Sequence, residues 1–401
     1  MAKYSFLNVP AWGHVNPTLP VVQELVRRGH EVSYYLTEDF RETIEATGAV
    51  FQPYESKIKE LAKGGIGGRN IGMGPRVFIL EDRKFVPPQV IDRIRAEKPD
   101  VILYDFMCGW AKVIRDELHV PAIGLRATYA SNEHFNLFKH IRAGMQNSAN
   151  GQEFLERFKA LQAASSSENP MEEITREFTD VESLNIIFMS RAFQPMVETF
   201  DERFLFVGTS IQTRHQETGF PFDKLNTELP LLYISMGSVM TNQPEFYKHC
   251  FEAFGGQPWQ VVLTVGKSTD TTQLGAVPDN FLLSPYVPQL EILPRTQVFV
   301  THAGTNSVME SIYYGVPMVL IPQQPEQQMH ARRTVELGLG VQLDKGAVTA
   351  ASLREAVEHV ANDPQYRTHA QEMQQRMHED GGYQRATDAI IEFTQKHVVH
   401  V

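Results

Sequence analysis

A histidine near the N-terminus is the first residue whose surroundings suggest chemistry. His14 lies in PAWGHVNP, which follows the apolar run 3–9 that predicts a first strand. Asn16 could cap the next helix and Pro17 suits its first turn, so the backbone would hold His14 just before that helix. A histidine with an ordinary pKa of ~6.5 can act as a general base near neutral pH. The alternative is a solvent-exposed histidine in an ordinary loop.

Asp105 is the carboxylate best placed to orient such a base. It ends the buried run DVILYD, 100–105. Parallel strands end at one edge of a sheet, where the loop after the first strand also lies. A carboxylate beside His14 would align its ring and stabilise the imidazolium that forms on proton transfer. The alternative is that Asp105 caps the helix that follows it.

The segment QVFVTHAGTNSVMESIYYG, 297–315, has the features of an anion site. A strand ends at His302, and Asn306 and Ser307 then open a helix. The N-terminus of a helix presents backbone N–H groups and a positive partial charge, so phosphate is the ligand that this arrangement favours. An ordinary capped turn is the alternative. The glycine turn SMGSV, 235–239, could supply further N–H donors from a second wall.

Two polar residues after another strand could bind hydroxyl groups of a ligand. Glu326 and Gln327 follow a strand end in IPQQPEQQMHARR. Alternatively, Pro325 and Glu326 simply start a helix, because proline and an acidic residue both suit the first turn. The sequence contains no DxD motif, the usual acidic clamp for a divalent ion on a nucleotide diphosphate. His302, the helix dipole and hydroxyl groups would then have to stabilise a diphosphate without a metal.

Buried strands and helical segments alternate along the chain and must position these residues. Such alternation predicts parallel sheets with helices on both faces. The pattern restarts after a polar, turn-rich stretch without periodicity, so we predict two α/β domains. Their predicted bounds are 1–210 and 231–380, joined by the linker 211–230, with 381–401 as a final helix that packs back toward the first domain. The predicted strands lie at 3–9, 30–37, 100–105, 121–125, 231–237, 260–266, 280–286, 297–304 and 317–322.

The composition of the chain excludes several classes of protein. Its 401 residues are 42% hydrophobic and 21% charged, unlike a disordered, collagen-like or coiled-coil chain. The net charge of −11 and the lack of a basic stripe argue against nucleic acid as a partner. Cys108 and Cys250 are too few for a disulfide framework or a cysteine zinc site. Without a signal-peptide pattern or an apolar stretch of ~18 residues, we expect a cytoplasmic protein with no stable membrane insertion.

Taken together, these motifs resemble those of a known family. Over essentially the whole chain, their order and spacing resemble the nucleotide-sugar-dependent glycosyltransferases of the GT-B type, in particular the bacterial macrolide and flavonoid UDP-glycosyltransferases. The segment 286–331 is similar to the signature box of the plant secondary-product glycosyltransferases. The resemblance implies two Rossmann-like domains whose parallel sheets face each other across a cleft. It also implies that His14 is the catalytic base and Asp105 its partner.

The resemblance implies a donor site for a UDP-sugar in the second domain. Tyr286 would lie on the uracil face, and Gln289 and Glu310 would bind the ribose hydroxyls, Glu310 favouring a ribonucleotide. Tyr286 and Thr305 stand where plant members have tryptophan, so the resemblance implies a reshaped pocket. The nucleotide-sugar-binding residues that the resemblance implies are Gly237, Ser238, Tyr286, Val287, Gln289, His302, Gly304, Asn306, Ser307, Glu310, Glu326 and Gln327.

The activity that the resemblance implies is the inverting transfer of a hexose, glucose from UDP-glucose, with no metal or other cofactor. We expect the acceptor to be a hydrophobic small molecule such as a flavonoid, another phenolic or a macrolide. A UDP-sugar epimerase of the same fold and a catalytically silent protein that binds a UDP-sugar or a lipophile are the alternatives. The predicted acceptor-binding residues, each of which could equally belong to the core, are Trp12, Met73, Phe106, Met107 and Phe135, with Met73 in the glycine-rich stretch 63–75.

Overall fold

The computed structural model describes residues 1–57, 81–146, 179–212, 219–237, 243–266 and 269–397. The chain divides into two compact units. The first unit contains Met1–Ile211 and the C-terminal segment Asp380–Val401, and the second unit is Gln212–Glu379. Part of the predicted linker therefore belongs to the second unit. There, the Arg295 guanidinium lies 5.2 Å from the centre of the Phe222 ring.

A parallel sheet runs through the first unit. Its strands are β1 (Lys3–Leu7), β2 (Glu31–Leu36), β3 (Val50–Pro53), β4 (Val101–Asp105), β5 (Ala122–Arg126), β6 (Asn185–Ile187) and β7 (Phe204–Phe206). The helices are α1 (Trp12–Val15), α2 (Leu19–Arg27), α3 (Arg41–Glu45), α4 (Pro87–Glu97), α5 (Gly109–Leu118), α6 (Leu137–Gln146) and, at the C-terminus, α13 (Gly382–His397). Among the described residues, the sheet has seven strands in the order β3-β2-β1-β4-β5-β6-β7. Every residue of β4 and β5 is buried, which explains why these strands are continuous apolar runs.

The second unit repeats this plan. Its strands are β8 (Leu231–Ser235), β9 (Gln260–Thr264), β10 (Phe281–Ser284), β11 (Thr296–Thr301), β12 (Met318–Leu320) and β13 (Gly340–Gln342). The helices are α7 (Pro244–Phe254), α8 (Gln289–Ile292), α9 (Thr305–Tyr313), α10 (Pro325–Glu336), α11 (Ala350–Asn362) and α12 (Pro364–Glu379). In the ranges given above, the parallel strands follow the order β10-β9-β8-β11-β12-β13. No helix in those ranges is both long and apolar enough to span a membrane.

The strand order gives each sheet a switch point. The chain moves outward from β1 to β3, returns, and continues on the other side of β1 from β4 onward. The second sheet does the same between β8 and β11. Ligands of open parallel sheets bind at such points, beyond the carboxyl ends of the strands. The residues that follow β1, β4, β8 and β11 are therefore the ones placed to form sites.

The predicted strands are all present, and the structure adds four short ones. The added strands, β3, β6, β7 and β13, each contain three or four residues. Over so few residues, the alternation of apolar and polar side chains is indistinguishable from that of a loop. The sequence therefore predicts the strands that adjoin the candidate site residues, but not these short additions.

The C-terminal helix α13 packs on the first unit. The Thr394 hydroxyl is 3.1 Å from the Tyr4 hydroxyl, and the Asp388 carboxylate pairs with the Arg28 guanidinium at 2.5 Å. Ile390 belongs to the same hydrophobic core as the central strands of that unit. The chain thus ends in the unit in which it began.

Shortening one isoleucine of α13 should destabilise the first unit much more than shortening its neighbour. Ile390 is fully buried, whereas Ile391 is only partly buried. Because removal of a buried side chain leaves a cavity, we expect Ile390→Ala to lower the free energy of unfolding by about 3 kcal/mol and Ile391→Ala by less than about 1.5 kcal/mol. Urea unfolding followed by circular dichroism measures both values. Equal losses would show that this face of α13 does not hold the helix in place.

Candidate active site

His14 and Asp105 meet at the carboxyl edge of the first sheet. His14 lies in α1, which follows β1, and Asp105 is the last residue of β4, the neighbour of β1. The Nδ1 atom of His14 is 2.8 Å from the Oδ2 atom of Asp105. The Asp105 side chain is 2% exposed and the His14 side chain is 20% exposed. A proton on Nδ1 therefore faces the carboxylate, which leaves Nε2 as the nitrogen that can accept a proton from a ligand.

Buried hydrogen bonds fix the turn that carries His14. The Asn8 side-chain amide donates to the His14 carbonyl oxygen at 3.2 Å and to the Tyr34 hydroxyl at 2.8 Å. Asn16 does not cap the following helix as predicted, because the helical turn begins before it. Its backbone N–H already donates to the Trp12 carbonyl oxygen. Asn8, which precedes the predicted loop, is thus the polar residue that holds the turn.

The structure separates the two interpretations of Asp105. The helix after β4 is α5, and its N-cap residue is Cys108. The Oδ1 atom of Asp105 accepts a hydrogen bond from the Met107 backbone N–H at 2.8 Å, while Oδ2 faces His14. Asp105 therefore supports the turn after β4 and the histidine, and it does not cap the helix.

A buried cation lies beside this pair. Arg126, at the end of β5, is 2% exposed. Its guanidinium carbon lies 5.1 Å from the centre of the Phe106 ring, whose centre is in turn 5.7 Å from that of the His14 ring. Burial lowers the pKa of Arg126 to about 10, and attraction to nearby acidic groups, Asp105 among them, opposes this shift. The guanidinium therefore remains protonated at neutral pH and places a positive charge near His14 and Asp105.

The predicted acceptor residues are divided between surface and core. Trp12 is 47% exposed. Phe106 and Phe135 are buried, and Met107 is partly buried against the core of the first unit. Met73 lies outside the described residues. Of this predicted set, Trp12 has a large aromatic surface that a ligand can reach.

In the second unit, His302 follows β11 and is enclosed by two glycines. A Cβ atom on Gly237 would lie 2.7 Å from the His302 ring, and one on Gly304 would lie 2.5 Å from its Nε2 atom. Burial lowers the pKa of His302 to about 4, and the nearby His330 contributes to the shift. The ring is therefore neutral at pH 7 and can offer one N–H donor to a phosphate oxygen. Any side chain at either glycine would displace this donor.

The turn between β11 and α9 brings the N-terminus of α9 next to the His302 ring. Ala303 adopts the left-handed conformation, with φ of 63°, just before α9 begins at Thr305. The buried His330 braces this turn, with Nδ1 3.2 Å from the Ala303 carbonyl oxygen and Nε2 3.4 Å from the Thr305 hydroxyl. Asn306 and Ser307 are the second and third residues of α9. Sequence reasoning missed His330, because nothing distinguishes it from other buried residues of α10.

Gln289 connects the start of α8 to two residues of α9. Its Nε2 atom donates to the Glu310 carboxylate at 2.5 Å and to the Ser307 hydroxyl at 3.5 Å. Its Oε1 atom accepts a hydrogen bond from the Tyr233 hydroxyl at 3.2 Å. Burial raises the pKa of Glu310 to about 7, and the hydrogen bond from Gln289 opposes this shift. Glu310 therefore changes charge near neutral pH. The sequence did not indicate Tyr233, which lies within a buried strand.

Glu326 and Gln327 occupy the first turn of α10. The Oε1 atom of Gln327 accepts hydrogen bonds from the two backbone N–H groups just before this helix, at 2.8 and 3.2 Å. The carbonyl end of Gln327 is thus engaged in starting the helix, which leaves its amide nitrogen as the end that can serve a ligand. The other predicted residues are Tyr286, which is 51% exposed, Val287, which is buried, and Ser238, which lies outside the described residues.

Fold and site together define a class of enzyme, the GT-B glycosyltransferases. The structure of the calicheamicin glycosyltransferase CalG4 is similar to this chain along its length, with a TM-score of 0.80, 30% identity and 99% of each chain covered. An NDP-glycosyltransferase of Bacillus licheniformis is 40% identical, with 97% of each chain covered. The oleandomycin glycosyltransferase of Streptomyces antibioticus is 30% identical over 97% of this chain and 90% of its own.

The similarity also identifies the family. Residues 222–398 match the family described as UDP-glucoronosyl and UDP-glucosyl transferase. Together with the similarity over nearly the whole chain to the Bacillus licheniformis enzyme, this match shows that the chain belongs to that family. The protein is a glycosyltransferase, and the fold implied by the sequence resemblance is confirmed.

Glu310 should make the stability of the second unit depend on pH. Its pKa is about 7 in the folded protein and 4.5 without burial, so the folded state binds the extra proton and stability falls as pH rises from about 4.5 through 7. We expect the free energy of unfolding of Glu310→Gln, relative to that of the wild type, to rise by about 1–3 kcal/mol between pH ~5 and pH ~8. Thermal unfolding at both pH values measures this, with Glu358→Gln, at an exposed position of α11, as the control. A difference that does not change with pH would contradict the assignment.

Proposed function

We propose that this glycosyltransferase moves glucose from UDP-glucose to a hydroxyl group of a hydrophobic small molecule, with inversion at the anomeric carbon and without a metal ion or other cofactor. The observation that carries the proposal is the 2.8 Å contact between His14 and the buried Asp105. Activation of a hydroxyl group requires a base of this kind. A protein that only binds its ligands has no need of an oriented imidazole.

In the proposed reaction, His14 is the general base. Its Nε2 atom takes the proton of the acceptor hydroxyl while the acceptor oxygen forms a bond to the anomeric carbon. The bond between that carbon and the UDP oxygen breaks, and UDP leaves with the electron pair. Attack from the opposite face converts an α-linked donor into a β-glycoside. Asp105 stabilises the imidazolium until its proton passes to solvent.

The second unit would stabilise the charge that develops on UDP. His302 offers a neutral N–H donor, and the N-terminus of α9 adds backbone N–H groups and a positive partial charge. As charge grows on the leaving diphosphate, it raises the pKa of His302 and strengthens that hydrogen bond. In this proposal, these donors supply the electrostatic stabilisation for which a divalent ion would otherwise be needed.

The uridine and acceptor preferences rest on separate observations. Glu310 is a partly buried carboxylate that can accept a hydrogen bond from a ribose hydroxyl, which favours a ribonucleotide donor. The exposed Trp12 ring suits a flat aromatic or macrocyclic acceptor such as a flavonoid, another phenolic or a macrolide. Two of the similar enzymes are named for oleandomycin and calicheamicin, which supports a small molecule as the acceptor.

Replacing His14 should remove transfer but leave donor binding intact. Loss of a general base typically costs a factor of ~10²–10⁴, so we expect His14→Ala to lower kcat by that factor. UDP affinity should stay within about twofold, because the donor residues lie in the second unit. Mass spectrometry of UDP-glucose reactions with a panel of phenolic and macrolide acceptors, in the presence of EDTA, detects the gain of one hexosyl unit. His359→Ala, at an exposed position of α11, is the matched control.

Each outcome of this experiment has a definite meaning. Product from the wild type and the control, but not from His14→Ala, would support metal-independent transfer and the role of the base. Equal turnover by His14→Ala would exclude that role. UDP binding without any glycoside would favour the epimerase or the silent binding protein, and an isomerisation assay on the recovered UDP-sugar would distinguish these two.

A methyl group on Gly237 should weaken donor binding through His302. Gly237 and Gly275 both have positive φ, 83° and 84°, so alanine strains the backbone at both positions. Only at Gly237 would the new Cβ atom meet the His302 ring, since nothing lies within 4 Å at Gly275. We expect Gly237→Ala to weaken UDP binding at least ~10-fold and Gly275→Ala to leave it unchanged, as measured by calorimetry. Equal affinity in the two variants would exclude His302 as a diphosphate ligand.

A further inference from the structure

We propose that Tyr233 is a positioning residue through which the donor site prefers ribonucleotides to 2′-deoxyribonucleotides. The proposal rests on the proposed binding of a UDP-sugar at Glu310. Tyr233 lies in β8 and is 1% exposed. Its ring is stacked on that of Phe299, with the centres 4.8 Å apart and the planes inclined by 4°. Because the ring is stacked and buried, the position of its hydroxyl oxygen is fixed.

The Tyr233 hydroxyl anchors the Gln289 amide that supports Glu310. The two ends of a carboxamide have nearly the same size, so only their hydrogen-bond partners decide which end faces which group. The ionised carboxylate can only accept, so it faces Nε2 at 2.5 Å, and the Tyr233 hydroxyl donates to the remaining Oε1 at 3.2 Å. A reversed amide would set its oxygen against the carboxylate oxygen, and the two would repel each other. Tyr233 thus holds the amide in the one orientation that Glu310 allows.

This hydrogen bond is part of a longer chain. The Thr264 hydroxyl lies 3.3 Å from that of Tyr233. When Tyr233 donates to Gln289, its oxygen is available to accept from Thr264, and Gln289 in turn donates to Glu310. Successive hydrogen bonds of this kind polarise and strengthen one another. This series of hydrogen bonds therefore ends at the Glu310 carboxylate and holds it in place.

Glu310 retains an oxygen for the nucleotide. Gln289 occupies Oε2, whereas no group in the described part of the chain donates to Oε1. A ribose 2′-hydroxyl is a donor that can fill this position, and a 2′-deoxyribose lacks it. Gln289 already spends its N–H groups on Glu310 and Ser307, so its effect on the ribose is exerted mainly through the carboxylate. Selectivity then depends on how firmly Glu310 is held, and hence on Tyr233.

Binding of UDP and dUDP to the full-length protein tests the proposal, because the two nucleotides differ by one hydroxyl group. We expect Tyr233→Phe to weaken UDP binding about fivefold, the value of one hydrogen bond, and to leave dUDP binding unchanged. Gln289→Met should lose at least as much UDP affinity. The double variant should bind UDP no more weakly than Gln289→Met, because both changes break one chain. Tyr247→Phe, at another buried tyrosine of the second unit, should leave the UDP to dUDP ratio as in the wild type.

Several outcomes would overturn the proposal. An equal loss for UDP and dUDP would mean that Tyr233 only supports packing, and an unchanged ratio would mean that it does not act on the ribose. Additive losses in the double variant would show that Tyr233 and Gln289 act separately. Absence of UDP binding by the wild type would overturn this proposal together with the proposed donor. Glucose transfer is measured separately. Its failure would overturn the proposed reaction, but the role of Tyr233 would still stand if Tyr233→Phe weakened binding of UDP and not of dUDP.

Discussion

The parallel pairing of β1 with β4 is the constraint on which the contact between His14 and Asp105 depends. It sets Leu7 opposite Tyr104, so that the chain leaves both strands at the same edge of the sheet. His14 and Asp105 are 91 residues apart and meet because each follows or ends one of these strands. The pairing of β8 with β11 does the same for Gly237 and His302. A slip of one residue in either pairing would turn every side chain of the strand to the other face of the sheet and shift the site residue at its end, so both sites depend on this register.

The two units handle charge in different ways. The first places an acid, a base and the buried Arg126 close together, as a site must if it moves a proton. In the second, burial lowers the pKa of His302 to about 4, so that it is neutral at pH 7, and raises the pKa of Glu310 to about 7. A diphosphate brings its own negative charge, and a helix N-terminus with a neutral N–H donor can receive it without a buried cation that would be costly in the unliganded protein. The electrostatics of each unit therefore suit the step proposed for it.

The sequence indicated the candidate residues that lie at strand ends. His14, Asp105 and His302 could be found because each adjoins a long apolar run, and position after a parallel strand already indicates a ligand edge. The sequence could not show that Asn8 holds the turn of His14, that His330 braces Ala303, or that Gln327 bonds the start of its own helix. Such contacts join residues whose approach depends on the packed structure. The short strands were missed for a related reason, because tertiary pairing creates them and local pattern does not.

In both candidate sites, each residue proposed to contact a ligand (an acting residue) is positioned by a second residue (a holding residue). Asp105 and Asn8 hold His14 and its turn, His330 holds the turn before α9, and Gln289 holds Glu310. The acting groups are partly open to a ligand, whereas Asp105, Asn8 and His330 are buried and form hydrogen bonds within the protein. A ligand can therefore bind to side chains that are already oriented, and less of its binding energy is lost in ordering them. In a family whose members are named for different small molecules, pocket walls can vary while such holding contacts keep the reacting groups aligned.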